Sequence, residues 1–117
     1  MYDNTDKLIT WRKSHELALK IYEITTAFPK EELFGLTSQI RRAAVSIPSN
    51  IVEGKARGSL KEYKRFLLIA RGSLEETKYH LLLAKDLSYI DKITYKEVLR
   101  LAKEVGRLLS GLIKTAD

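Results

Sequence analysis

Cysteine is absent from the 117 residues, so neither a disulfide framework nor a thiolate metal site is possible. That suits a reducing compartment, and the expected location is cytoplasmic. Proline occurs only twice, as Pro29 and Pro48, and no linker, internal repeat or low-complexity segment interrupts the chain. No apolar run approaches the roughly 18 residues that a membrane span needs, so no membrane contact is expected. The start, Met1-Tyr2-Asp3-Asn4-Thr5-Asp6, is polar and acidic, unlike a secretory signal. Catalytic signatures are missing too. His15-Glu16 begins like a zinc-protease motif, but Leu19 stands where the second ligand should be. His80 follows Glu76 by four residues rather than three, and no second Glu-x-x-His element exists, so the di-iron bundle pattern fails. There is no glycine-rich phosphate loop and no recognisable Ser/His/Asp set. Both histidines read as surface or rim residues, and no catalytic residue, metal or cofactor is expected.

Acidic residues are scarce in one place. Between Thr37 and Gly72 stand eight basic residues, Arg41, Arg42, Lys55, Arg57, Lys61, Lys64, Arg65 and Arg71, against only Glu53 and Glu62. The rest of the chain holds 13 of each sign, so this third carries the whole net charge of +6. A concentrated basic field attracts polyanions, whereas the plainer reading of such a run is a solvated helix face.

What is abundant is helical periodicity. Four segments repeat apolar residues at 3.6-residue spacing, over about 8–28, 37–54, 60–89 and 95–114. Leu17, Ile21, Ile24 and Phe28 form the first stripe, beside Trp11, Ala18, Tyr22 and Thr25. Thr37 reads as the N-cap of the second helix. Its core face is Leu36, Ile40, Ala43, Ala44, Ile47 and Ile51, and a second apolar strip, Val45, Pro48 and Val52, lies beside that face. Pro48, with no N–H to donate, predicts a kink. The third stripe is Tyr63, Phe66, Leu67, Ala70, Leu74, Thr77, Leu81 and Ala84, and the fourth is Val98, Ala102, Val105, Leu109 and Leu112. Ser59 with Glu62, and Thr94 with Glu97, have capping-box spacing. Gly72, with Ala70 and Ser73, suggests a spot where another backbone comes close. Joined by loops of five to eight residues, these segments predict one all-α domain over 1–117, an antiparallel up-down-up-down four-helix bundle with a kinked second helix. Apolar residues left over beyond one core are Val45, Pro48, Val52, Leu68, Ile69, Leu82 and Leu83, and they predict a cyclic homo-oligomer. Arg41 borders the second strip and is expected at a subunit interface, paired with an acid such as a neighbour's Glu53.

Four blocks of residues carry a resemblance. They are Trp11-Arg12-Lys13-Ser14-His15-Glu16-Leu17-Ala18 followed by Ile21-Tyr22, the long block from Phe34 to Gly54 containing Arg41-Arg42-Ala43-Ala44-Val45-Ser46-Ile47-Pro48, the pair Glu62-Tyr63 with Phe66-Leu67, and Ile69 to Glu76. Together they resemble the four-helix-bundle family of 23S rRNA intervening-sequence proteins. Phe34 departs from the tyrosine more common there, and the fourth helix matches only in pattern. The resemblance implies a ring-like homopentamer without an active site. Related accessory proteins of retroelements bind nucleic acid and a reverse transcriptase. RNA, a ribosomal component or a reverse transcriptase are therefore the expected partners. For RNA the candidate contacts are Arg42, Lys55, Arg57, Lys61, Lys64 and Arg65. The alternative is a protein-interaction scaffold, such as an accessory subunit of a reverse transcriptase.

Overall fold

The four periodic segments are four α-helices in the computed structural model, which describes residues 5–116 and side chains from Ile9 onward. Of the polar start, residues 1–4 lie outside that description. The helices are α1, Thr5–Thr25, α2, Leu36–Ala56, α3, Leu60–Asp86, and α4, Lys92–Thr115, with a single 3-10 turn at Lys30–Glu32 before α2. No strand occurs among the described residues. Each helix packs on its neighbours in chain order, and α4 returns to α1; the α2–α3 contact is the most extensive. The interior is closed by Leu17 and Ile21 of α1, Ile40, Ile47 and Ile51 of α2, Leu67, Leu74 and Leu81 of α3, and Val98, Val105 and Leu109 of α4, all fully buried. Burying one such side chain contributes about 1.5–3 kcal/mol. That exceeds the ordinary spread of helix propensity, about 0.7 kcal/mol per residue, so the stripes decide the fold.

The helix ends differ from the expected ones, for local reasons. α1 stops at Thr25 rather than Phe28 because Phe28 precedes Pro29, which disfavours helical backbone there. Phe28 stays buried and packs its ring 5.4 Å from that of Tyr89. Thr37 is not the N-cap of α2; it lies inside the first turn, buried. Gly35 holds the cap position without a side chain, and the Glu32 carboxylate accepts the Leu36 N–H instead, at 3.1 Å. A Cβ on Gly35 would sit 2.7 Å from that carboxylate oxygen. The Leu36 N–H first, and the Tyr89 hydroxyl second, hold the Glu32 carboxyl below its ordinary range. α3 ends at Asp86, not Tyr89, because Ser88 turns to φ 64°. The Tyr89 N–H then reaches back to the Ala84 carbonyl and the Ser88 N–H to that of Lys85, the paired bonds of a Schellman ending.

α4 starts at Lys92 instead of Tyr95. Its cap is Asp91, whose carboxylate accepts the Thr94 N–H at 2.7 Å, so Thr94 is the recipient of the cap and not its source. That bond holds the Asp91 carboxyl below its usual range. Asp91→Ala is expected to lower the melting temperature by a few degrees, and Asp91→Asn to restore most of the loss, as thermal circular dichroism would show. Ser59 does cap α3, accepting the Glu62 N–H at 3.2 Å. The loops, by difference between helix ends, are ten, three and five residues long.

α2 continues through Pro48. Beside it, the Asn50 amide donates to the carbonyl and hydroxyl of Ser46, at 2.8 and 2.9 Å, and the Ser73 hydroxyl bonds Ser46 Oγ at 2.8 Å. A polar seam thus ties α2 to α3 where the proline interrupts the backbone ladder. Six residues after Pro48, Gly54 lets the helices close: a Cβ there would lie 2.7 Å from Phe66 Cβ. Gly72, by contrast, faces open space within the subunit. The close approach expected there occurs at Gly54.

Candidate nucleic-acid interface

The three-residue turn from α2 to α3 gathers most of the basic residues. Arg57 closes α2, Gly58 takes φ 82°, a conformation that favours glycine, and Ser59 opens α3. Lys55, Arg57, Lys61, Lys64 and Arg65 surround this turn. A small cleft of about 220 Å³ lies among Gly54, Lys55, Gly58, Ser59 and Tyr63. Arg42 does not join them; it is 13 residues before Lys55 on the same helix, about 20 Å along the axis.

Within the cluster the side chains have different duties. Arg57 bonds Glu53 at 3.0 Å, and Arg65 bonds Glu62 at 3.0 Å. Their guanidiniums also cover the buried Phe66 ring, at 4.9 and 4.6 Å from its centre. The bond to Arg65 holds the Glu62 carboxyl below its ordinary range, with a smaller contribution from the charges of Arg65, Arg57 and Lys61. Both acids of the basic third are therefore occupied by arginines. The i,i+4 spacing of Glu53 and Arg57 and the i,i+3 spacing of Glu62 and Arg65 were the sequence signals for this. Arg42, Lys55 and Lys61 are exposed and make no ion pair within 4.0 Å among the described residues. Lys64 is half-buried.

The expected interface residues also separate. Val45, Leu68, Ile69 and Leu82 are exposed, from 37% to 41%. Pro48 is buried in the subunit and, with Val45 and Val52, lines the groove between α1 and α2. Val52 and Leu83 are half-buried and pack against the core. Arg41 finds partners in its own subunit. Its Nε donates to Thr25 Oγ1 at 2.8 Å, and its guanidinium lies 4.6 Å from the centre of the Tyr22 ring. Beside it an apolar groove of about 520 Å³ runs between α1 and α2, with Trp11, Leu19, Tyr22, Val45 and Val52 among its walls. Leu19 and Phe34, exposed to 58% and 93%, are apolar surface outside the periodic stripes.

Neither histidine belongs to a metal cluster; no group of three or more ligating side chains occurs among the described residues. His15 is exposed and stacks on Trp11, with ring centres 5.2 Å apart. His80, expected at the rim, is instead buried on α3, and its Nδ1 has no hydrogen-bond partner. Glu76 stands 3.9 Å from its Nε2, beyond hydrogen-bond reach. Burial pushes the imidazole below its ordinary value, and the Glu76 charge opposes this only in part. A lowered folded-state value means the unfolded chain takes up the proton first, so this contribution to stability is present above about pH 6.5 and fades below it. The melting temperature is expected to fall as the pH drops from about 7 to about 5.5, and His80→Gln to flatten that slope. An equal slope in both proteins would refute the assignment.

The chain matches the family model described as 23S rRNA-intervening sequence protein over residues 6–111. Among solved structures it is similar to a protein of unknown function from the S23 ribosomal protein family of Bacteroides thetaiotaomicron. The two share 28% identity with a TM-score of 0.86, covering 94% of this chain and 99% of the other. No curated protein matches it significantly.

Proposed function

The chain belongs to the 23S rRNA-intervening sequence protein family, and from that premise we propose that it is a non-enzymatic, cytoplasmic RNA-binding bundle. The observation that carries the reading is the division of labour at the α2–α3 turn. Arg57 and Arg65 use up the only two acids of the basic third, while Lys55 and Lys61 project from the same turn without an ion pair among the described residues. Contacts of this kind go to phosphates and carry little sequence preference. In this reading the helices run up-down-up-down, α2 bends at Pro48, and copies assemble into a closed ring, with five subunits as the resemblance implies. Val45, Leu68, Ile69 and Leu82 lie at its contacts, with Arg41 at their edge. The ring multiplies the basic turn.

Fluorescence anisotropy with single-stranded and structured RNA tests this between about 50 and 200 mM salt, where counterion release makes affinity fall steeply. Wild-type protein is expected to bind at the low end, and Lys55→Glu with Lys61→Glu to abolish binding without altering the assembly. No binding by wild type removes the reading. The second reading, a scaffold for a protein such as a reverse transcriptase, then leads. It draws support from the exposed apolar side chains Leu19, Phe34 and Tyr79.

A further inference from the structure

We propose that the groove between α3 and α4 binds the sugar–phosphate backbone of the RNA through Arg71, Lys103 and Arg107. This rests on the RNA-binding reading and adds a surface to it that the turn residues do not form. The groove encloses about 530 Å³, and four cations, Arg71, Lys78, Lys103 and Arg107, line it against a single acid, Glu75. Glu75 is bound to Lys78 at 2.8 Å. The other three cations are exposed and have no carboxylate within 4.0 Å among the described residues.

The groove on the other side of α4 shows what this bundle does when charges only need to be solvated. Between α1 and α4, Lys13, Lys20 and Arg100 face Glu16, Glu23, Glu97 and Glu104. There Lys13 sits 3.7 and 3.6 Å from Glu16 and Glu104, and Lys20 sits 3.4 Å from Glu23. Signs are interleaved and paired. In the α3–α4 groove the cations instead converge from two helices with most of their charge unanswered, and such convergence is repulsive until an anion enters.

The shape of the array selects a polymer over a small anion. Lys64, Arg71 and Lys78 recur every seven residues, which keeps them on one face of α3 over about 21 Å. Lys103 and Arg107 stand one turn apart on the facing helix. The row begins near the α2–α3 turn and leads into the groove, with its members about 10 Å apart along α3, and Lys103 and Arg107 add charge from the facing helix. The floor suits a close approach. Leu74 is fully buried beneath it, and Gly106 adds no side chain; a Cβ there would lie 3.3 Å from Leu74 Cδ2. A glycine inside a helix costs about 1 kcal/mol relative to alanine, and here it leaves the space between the two rows open.

The test compares two triple variants of the full chain with equal loss of charge. One is Arg71→Gln, Lys103→Gln, Arg107→Gln; the other is Arg12→Gln, Lys30→Gln, Arg100→Gln, exposed positions outside the groove, with Arg100 on the α1 side of α4. A labelled single-stranded RNA of about 20 nucleotides is titrated at several salt concentrations. The groove variant is expected to lose at least about tenfold in affinity and its salt slope to become shallower by about 2, at about 0.7 per phosphate contact on a single strand. The control should stay within about threefold of wild type. If both variants weaken alike, net charge alone is responsible and the groove is not a site. If wild type binds no RNA, the underlying reading fails instead. Acylation of Lys103, read by mass spectrometry, provides a check without substitution: RNA should protect this amine, and equal modification with and without RNA overturns the proposal.

Discussion

Gly54→Ala is expected to lower the melting temperature by about 5–15 °C, the consequence of overpacking worth about 1–3 kcal/mol in a domain of this size. The added methyl would lie 2.7 Å from Phe66 Cβ and 3.3 Å from both the Tyr63 ring and the Tyr63 carbonyl oxygen. None of these is the loose end of a flexible side chain, so α2 and α3 must part. Phe66 would then move from beneath Arg57 and Arg65, and the loss extends to the geometry of the turn. Alanine's better helix propensity offsets only part of this, because Gly54 stands two residues from the end of α2. Gly72→Ala is the matched control. It lies within α3 with nothing inside 4 Å of its would-be Cβ, so thermal unfolding should show a gain of a few degrees. A loss at Gly72 would mean that another copy of the chain occupies that space.

Leu68→Glu with Ile69→Glu is expected to reduce the ring proposed above to single chains. Both side chains are about 40% exposed in the isolated subunit, so charges there leave its own core intact. In an interface they would be buried without partners, at a cost of several kcal/mol per ion. Light scattering behind size exclusion should read a mass near 13.4 kDa for the variant and a multiple of it for wild type, while circular dichroism reports unchanged helix. A wild type that already runs at the single-chain mass removes the ring.

What could be read in advance and what could not divide along a physical line. Every residue of the α3 stripe from Tyr63 to Ala84, and every one of the α4 stripe from Val98 to Leu112, is buried. Periodicity reports burial because one helix face meets the core whatever the partner. Helix ends depend on groups that only the fold brings together. The Glu32 carboxylate that receives the first N–H of α2 is itself held by the hydroxyl of Tyr89, 57 residues away. His80, three residues after Thr77 and next to Leu81, falls at the border of its stripe, where periodicity alone leaves its burial undecided. Arg41 was legible as special through its place beside an apolar strip, but spacing gives no sign of Thr25, 16 residues earlier, as its acceptor. The charge imbalance of the basic third was legible as a sum. Its separation into Arg57 and Arg65, braced by acids, and Lys55 and Lys61, which have no ion pair among the described residues, needed distances, and so did the α3–α4 groove, whose Lys103 and Arg107 lie outside that third.

The stacked pair Trp11 and His15 gives the molecule an optical property. Trp11 is the only tryptophan of the chain, half-exposed on the wall of the apolar groove between α1 and α2. Indole emission shifts to shorter wavelength as water leaves the ring. Tryptophan emission of the unlabelled protein, excited beyond the absorption of its six tyrosines, therefore reports on that groove: an apolar ligand or partner that covers Trp11 should turn the spectrum blue, and its release should redden it.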